Sequence, residues 1–202
     1  MCCQIEEGDT AQWPSWLDDV GRQIFGNCVV ELDNSSAEAH VALSEILLGM
    51  RQYDKAIEAG ERAVKFGPNN SMAVGSLANC LFYAGRSEES LPFSRQAIRL
   101  EPFRVGNYRF FALACRETGR YEEGIAAVKK SLQLAPNEVF ARVILVSVYM
   151  YAGREDEARA TVAEIQRIAP NFSVEKFAKA LPYKDEATRD RYIESLRKAG
   201  LK

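Results

Sequence analysis

The chain has 202 residues, 47% of them hydrophobic, which is enough for one domain with a substantial buried core. Its 26 Lys and Arg residues nearly balance its 28 Asp and Glu residues, and the resulting net charge of −2 argues against a surface for nucleic acid or anionic lipid. Charged residues interrupt every apolar stretch well before the ~18 residues of a membrane-spanning helix. No membrane segment is therefore expected.

The N-terminus and the cysteines bear on where the chain resides. Residues Met1 to Glu7 lack the basic start and the apolar core of a secretory signal, which predicts a cytoplasmic location. The five cysteines show no metal-ligand spacing and are typical of reduced thiols. They are Cys2, Cys3, Cys28, Cys80 and Cys115.

Residues 1–36 precede the repetitive part of the chain. Between Trp13 and Leu32, apolar residues recur at helical intervals, and the run ends at Asp33. The pattern predicts one extra helix, similar to the second helix of an incomplete repeat. An uncovered apolar face on such a helix would favour a homodimer through the chain ends.

A 34-residue step governs the middle of the chain. Prolines recur at Pro68, Pro102, Pro136 and Pro170, each 34 residues after the one before. Glycines that are followed by arginine keep the same step, at Gly85, Gly119 and Gly153. Between these marks the apolar residues follow a helical period, so each unit is predicted to contain two helices, the first ending at the glycine and the second before the proline.

This pattern resembles the tetratricopeptide repeat family, with four units at residues 37–70, 71–104, 105–138 and 139–172. The resemblance implies an all-α fold, a right-handed superhelical solenoid of four helical hairpins. Stacking of the hairpins would bury one continuous core.

Two residues depart from the pattern of the units. Arg51 stands where the turn glycine of the first unit is expected, which predicts a turn that is wound differently. Pro92 falls within the second helix of unit two, where it would remove a backbone donor, so a later helix start at Ser90 is expected.

Residues 173–202 are predicted to form capping helices at the end of the solenoid. The last of them begins at Asp185, a good helix cap, and carries Tyr192, Ile193 and Leu196 on one side. This arrangement predicts a helix that covers the apolar flank of unit four.

The same tail, from Asn171 to Leu201, also resembles the closing segment of repeat regions attached to bacterial class III adenylate or guanylate cyclases. That resemblance implies a regulatory or docking portion of a bacterial signalling protein. It does not imply cyclase activity, since the chain has no counterpart of the cyclase metal-binding aspartates.

No catalytic, metal or cofactor site is predicted. The only histidine, His40, cannot be joined by spacing to a nucleophile or a carboxylate, and its place in the first unit predicts packing in the core or at a groove edge. The glycines are explained by turns and packing, and no phosphate-binding loop, zinc-protease motif or calcium loop can be read in the sequence. An enzyme is therefore not expected.

In the tetratricopeptide family the first helices of the hairpins line a concave groove, and the resemblance places the partner-binding residues of this chain there. They are Glu45, Leu48, Met72, Asn79, Phe82, Tyr83, Arg109, Leu113, Arg116, Phe140, Ser147, Met150 and Tyr151. Such an apolar and aromatic wall, with two arginines and one asparagine, suits an amphipathic helix or an extended segment of a protein partner.

The sequence disfavours two other binding modes. A clamp for the acidic tails of heat-shock chaperones is disfavoured, because only Asn79 matches the residue types that the clamp requires. An RNA-binding helical repeat is disfavoured by the negative net charge and by the small number of lysines in the groove.

Overall fold

The computed structural model describes residues 35–202, so the extra helix predicted between Trp13 and Leu32 lies outside the described residues. The described part is all-α and contains ten helices. In chain order they are α1 (Ala37–Gly49), α2 (Tyr53–Phe66), α3 (Ser71–Tyr83), α4 (Ser87–Leu100), α5 (Val105–Glu117), α6 (Tyr121–Leu134), α7 (Val139–Tyr151), α8 (Glu155–Ile168), α9 (Val174–Ala180) and α10 (Glu186–Lys198).

The first eight helices form four consecutive hairpins that stack into a superhelix. The first helix of each hairpin has 13 residues and the second has 14. Each second helix packs against the first helix of the next hairpin, and successive first helices also contact one another. The 34-residue step in the sequence is therefore the step of the solenoid.

Three of the four hairpins turn at a glycine in the left-handed conformation, with φ of 84° at Gly85 and 73° at Gly119 and Gly153. Arg51 adopts the same conformation in the first hairpin, with φ of 59°. The N–H of the next residue, Gln52, donates to the carbonyl of Leu47 at 2.9 Å, as in the other turns. The expectation of a differently wound turn is thus wrong, because the helix-end hydrogen bonds impose one geometry on all four turns.

Helix α4 begins at Ser87, so the expected later start at Ser90 is also wrong. Pro92 lies inside the helix and deprives the carbonyl of Glu88 of its usual donor. Both residues are exposed, which places the missing hydrogen bond on the solvent side of the helix.

Arginines that follow the turn glycines connect neighbouring hairpins. Arg120 contacts Glu88 at 3.2 Å, and Arg154 contacts Glu122 at 2.9 Å, in each case 32 residues back along the chain. Each pair joins one turn to the start of the second helix in the preceding hairpin. The repeat thus carries its own ladder of surface ion pairs along one edge.

Helices α9 and α10 cover the end of the fourth hairpin. Tyr192, Ile193 and Leu196 of α10 are buried, and this helix packs against α7. The chain end folds back, with the N–H of Val174 donating to the carbonyl of Lys202 at 3.0 Å. The C-terminal helices therefore extend the core of the solenoid.

Candidate binding groove

The first helices α1, α3, α5 and α7 share one face of the solenoid, here called the groove. Residues that are 34 apart occupy equivalent positions on successive helices. At one such position the side chain is exposed at Glu45, half-buried at Asn79, 4% exposed at Leu113 and fully buried at Ser147. Over residues 35–202 the groove is thus open at its N-terminal end and closed towards its C-terminal end.

The closure is made by the connection between α9 and α10, residues 181–185, here called the plug. Its residue Tyr183 is 3% exposed and packs edge-on against Phe82 and Tyr83, with ring centroids 5.5 and 5.0 Å apart. The backbone N–H of Lys184 donates to the carbonyl of Tyr83 at 2.9 Å. The plug therefore lies in the groove much as an extended peptide would.

Arg116 on α5 holds the plug from below. Its guanidinium donates to Tyr183 Oη at 2.9 Å and to Ser147 Oγ at 3.0 Å, and it pairs with Glu117 at 2.7 Å. The guanidinium also lies 3.9 Å from the ring centroid of Tyr192. A buried charge is tolerated when it is paired and hydrogen-bonded in this way.

The plug region shifts the pKa of its ionisable groups. Burial raises the pKa of Tyr183 and of Tyr192, while the charge of Arg116 acts in the opposite direction and is outweighed. Burial also opposes the charged form of Arg116, but Tyr183 and Glu117 keep its pKa above the ordinary value. The cluster is therefore a protonated arginine among neutral tyrosines at neutral pH.

The open part of the groove is apolar with a few polar groups. Met72 and Phe140 are 39% and 50% exposed, and Phe110 lies half-buried between them along the solenoid. Arg109 pairs with Glu138 at 3.1 Å beside Phe140. A recess of about 160 Å³ lies among α5, α7, α9 and α10, with Phe110, Phe140 and Arg109 in its lining.

Asn79 adds an unusual polar group to this surface. Its Oδ1 atom is buried and has no hydrogen-bond partner within residues 35–202. Buried amide oxygens are normally paired, so this oxygen is an exception among the described residues.

Three of the thirteen predicted groove residues are exposed: Glu45, Met72 and Phe140. Five more are half-buried: Asn79, Tyr83, Arg109, Met150 and Tyr151. Tyr83 packs against the plug, and Tyr151 lies over the guanidinium of Arg116, 5.2 Å from the ring centroid.

The structure corrects the expected accessibility of the other five, which are 0–4% exposed: Leu48, Phe82, Leu113, Arg116 and Ser147. Leu48 packs in the core of the first two hairpins. Phe82 and Arg116 contact the plug directly, and Ser147 lies beneath Arg116. Burial within this chain removes these five from direct contact with a partner.

Phe110 and the plug residue Tyr183 are not among the predicted groove residues. Phe110 was identifiable in principle, since it stands 34 residues after Ser76 on an equivalent face. Tyr183 carried only a weak signal, an aromatic residue after Pro182 in a tail without periodicity. Its docking site is formed by residues that lie 67 to 101 positions earlier in the chain.

Within the described residues, no group of three or more His, Cys, Asp or Glu side chains could hold a metal ion. His40 is buried and stacks on Phe66, with ring centroids 5.4 Å apart, which confirms its predicted packing role. Over residues 35–202, no helix combines the length and apolar character needed to cross a membrane.

Comparisons with known families and proteins agree with this architecture. Residues 116–181 match a tetratricopeptide repeat family, and residues 49–131 match the family of subunit 3 of the anaphase-promoting complex, or cyclosome. No curated protein matches the sequence. Residues 116–181 thus resemble the tetratricopeptide repeat family, and the described residues have the fold of a tetratricopeptide solenoid.

Several solved structures share the fold. A thermophilic tetratricopeptide protein of Thermus thermophilus is 23% identical, with 90% of this chain and 94% of that chain aligned at a TM-score of 0.67. MamA of Desulfovibrio magneticus is 17% identical, with coverage of 74% and 85% and a TM-score of 0.64. YrrB, described as having an unusual peptide-binding site, is 20% identical, with coverage of 83% and 86% and a TM-score of 0.61. At these identities the likeness concerns the fold.

Proposed function

We propose that this protein is a non-catalytic scaffold that holds a segment of a partner protein in the open part of its groove. The open groove consists of Glu45, Met72, Asn79, Arg109, Phe110 and Phe140. The observation that carries the proposal is the gradient of exposure along the first helices: within residues 35–202, the N-terminal part of the groove is uncovered while the plug fills the rest.

The apolar residues of the open groove give the first reason. Met72 and Phe140 expose large apolar side chains on the concave face. Exposed apolar groups in a concave surface with a polar surround are typical of interaction sites. Aromatic and methionine side chains are also enriched in the energetically dominant parts of interfaces.

The polar groups of the groove would fix the orientation of the bound partner segment. A rotation of the half-buried Asn79 side chain would bring its unpaired Oδ1 to the groove surface, where it could accept from a backbone N–H of the partner segment. The exposed carboxylate of Glu45 suits a basic residue at one end of that segment.

The plug limits the length of the partner segment. The open groove extends from α1 to the start of α7, and neighbouring helices pack about 8–10 Å apart, so it spans about 25 Å. An extended peptide of about eight residues covers this distance. We therefore expect recognition of a short linear segment of mixed apolar and polar character.

A random peptide library selected on the full chain tests the proposal. Selected peptides should lose about tenfold or more in affinity for the variant Met72→Glu, which places a charge on the apolar wall. The matched control is Lys130→Glu on α6, which is exposed and lies on a second helix away from the groove. Equal affinity for both variants, or a library without enriched binders, would refute the groove as the binding site.

Docking to a nucleotide cyclase is a second candidate, and it rests on the resemblance of the tail. The tail residues have a packing role of their own, since Leu181, Tyr183 and Leu196 are buried in the cap. The genomic reading frame upstream of Met1 would decide, because a cyclase domain encoded there would favour this candidate.

A further inference from the structure

Phe103 is the most exposed large hydrophobic residue of the described chain, at 79%. It lies in the loop between α4 and α5. The equivalent positions of the other units carry asparagine, at Asn69, Asn137 and Asn171. The repeat fold thus does not require an apolar residue at this position, and the exposed Phe103 adds little to the core.

The loop holds Phe103 in a fixed place. Tyr108 Oη donates to the carbonyl of Pro102 at 2.8 Å, and the side-chain amide of Asn107 donates to the carbonyl of Ala97 at 3.0 Å. An aromatic residue on a pinned turn loses little conformational entropy when it binds.

Basic and apolar residues surround Phe103. Leu100 is 37% exposed, and Arg99 and Arg104 are exposed as well. Arg104 reaches Glu101 only at 3.9 Å, and in residues 35–202 no carboxylate pairs with Arg99. The loop therefore presents an exposed aromatic side chain that is flanked by positively charged residues.

A complementary cavity of about 500 Å³ lies at the opposite edge of the solenoid, beside the turns that follow α3 and α5. Its uncharged lining consists of residues of the two turns and of the plug region, with the half-buried Tyr83 beside the largely buried Phe82 and Tyr183. Its charged lining residues are Arg86, Glu88, Glu89, Glu117 and Asp185. Four carboxylates thus face one guanidinium.

Two of these carboxylates remain available to a second guanidinium. Glu88 and Glu89 already contact Arg120 and Arg86, at 3.2 and 2.6 Å, but their side chains are still 68% and 56% exposed. Charge complementarity of this kind steers association and fixes its orientation.

We propose that Phe103 of one molecule docks into this cavity of a second copy of the chain. A molecule cannot fill its own cavity, because the loop and the cavity lie at opposite ends of the 13-residue helix α5, which is about 20 Å long. The contact joins two different surfaces and therefore repeats head to tail. The contact is small, so the association is weak and depends on concentration.

Sedimentation velocity of the full chain at low salt tests this contact. The mean mass should rise between about 10 µM and about 1 mM, the range in which weak interfaces become populated. The variant Phe103→Asn, which restores the residue found in the other three units, should remain monomeric with unchanged helicity. A wild-type chain that is monomeric throughout, or a Phe103→Asn variant that associates like wild type, would overturn the proposal.

A mixing experiment identifies the cavity as the acceptor. The double variant Glu88→Lys and Glu89→Lys reverses the rim charge and should not associate by itself. It retains Phe103, whereas the Phe103→Asn variant retains the cavity, so equal amounts of the two should form a 1:1 heterodimer and nothing larger. A mixture that stays monomeric, at concentrations where wild type associates, would contradict docking of Phe103 in this cavity.

Discussion

Arg116 is the residue on which the closed part of the groove depends. It contacts Glu117, Ser147 and Tyr183 while its own side chain is completely buried. Removal of one member of a buried, hydrogen-bonded charge pair leaves the others desolvated and unpaired. Its energetic role is therefore larger than that of the many arginines on the surface.

The variant Arg116→Met should lower the free energy of unfolding by about 3 kcal/mol. The variant Tyr183→Phe removes only one of the hydrogen bonds of Arg116 and should lower the free energy of unfolding by about 1 kcal/mol. The control Arg95→Met breaks an exposed ion pair with Glu123, of 2.6 Å, and should cost less than about 1 kcal/mol. Urea unfolding measures all three, and equal losses for Arg116→Met and Arg95→Met would contradict the structural role of Arg116.

The buried tyrosines predict a loss of stability at alkaline pH. Burial raises the pKa of Tyr83, Tyr183 and Tyr192 above the ordinary value of about 10, so the folded chain keeps protons that the unfolded chain releases. The contribution of these tyrosines to the free energy of unfolding is complete below pH 10. It is lost as the pH rises towards their pKa values in the folded chain, at up to about 1.4 kcal/mol per pH unit for each residue.

Unfolding free energies measured in urea between pH 9 and pH 11 test this linkage. The decline above pH 10 should be shallower in Tyr183→Phe, which has one fewer group to titrate. A stability that is constant across this range, or an identical slope in the variant, would show that these tyrosines ionise as readily in the folded chain as in the unfolded one.

At the scale of single residues, the sequence predicts which residues share one face of the first helices, but it does not predict how exposed each of them is. The 34-residue step placed Asn79, Leu113 and Ser147 on one face of successive helices. Their exposure differs because the plug covers only the later units. That contact joins Tyr183 to Phe82 across 101 residues, and no periodic pattern predicts it.

At the scale of elements, the four hairpin turns share one geometry and differ in one residue. Arg51 adopts the left-handed conformation that glycine supplies in the other three turns. A side chain in this conformation costs about 1–2 kcal/mol relative to glycine. Arg51 is exposed and thus has little packing to offset that cost.

Arg51→Gly should therefore stabilise the chain by about 1 kcal/mol, after allowance for the greater freedom of glycine in the unfolded state. The reciprocal variant Gly119→Arg should destabilise it by a similar amount, since the space around Gly119 is open and only the backbone is strained. Thermal or urea unfolding of both variants is the measurement. A destabilised Arg51→Gly would mean that Arg51 has stabilising contacts that outweigh its backbone strain.

Helix boundaries were largely predictable because a proline marks the end of every unit and a glycine marks the hairpin turn in three of the four. Pro92 was the exception, since a proline in the sixth position of a helix usually argues for a later start. Ser90 explains the outcome: its hydroxyl donates to the carbonyl of Ala78 at 2.7 Å and ties α4 to α3 before the proline is reached. Tertiary packing here overrides local propensity.

At the scale of the whole molecule, the superhelix is divided into a filled part and an open part. The C-terminal helices complete the core. The plug, which connects them, lies in the groove of the later units. Met72 and Phe140 stay exposed, and the buried oxygen of Asn79 stays unpaired. The periodic sequence predicted the solenoid, whereas the division depends on the aperiodic tail and required the structure.

Hydrogen–deuterium exchange of the full chain, with and without a peptide selected from the library, tests this division most directly. Binding in the open groove should slow exchange in α1, α3, the first half of α5 and the start of α7, and should leave the plug at residues 181–185 unchanged. Slower exchange on the second helices, or faster exchange at residues 181–185 on binding, would contradict the account, because it would mean that partners bind another face or displace the plug.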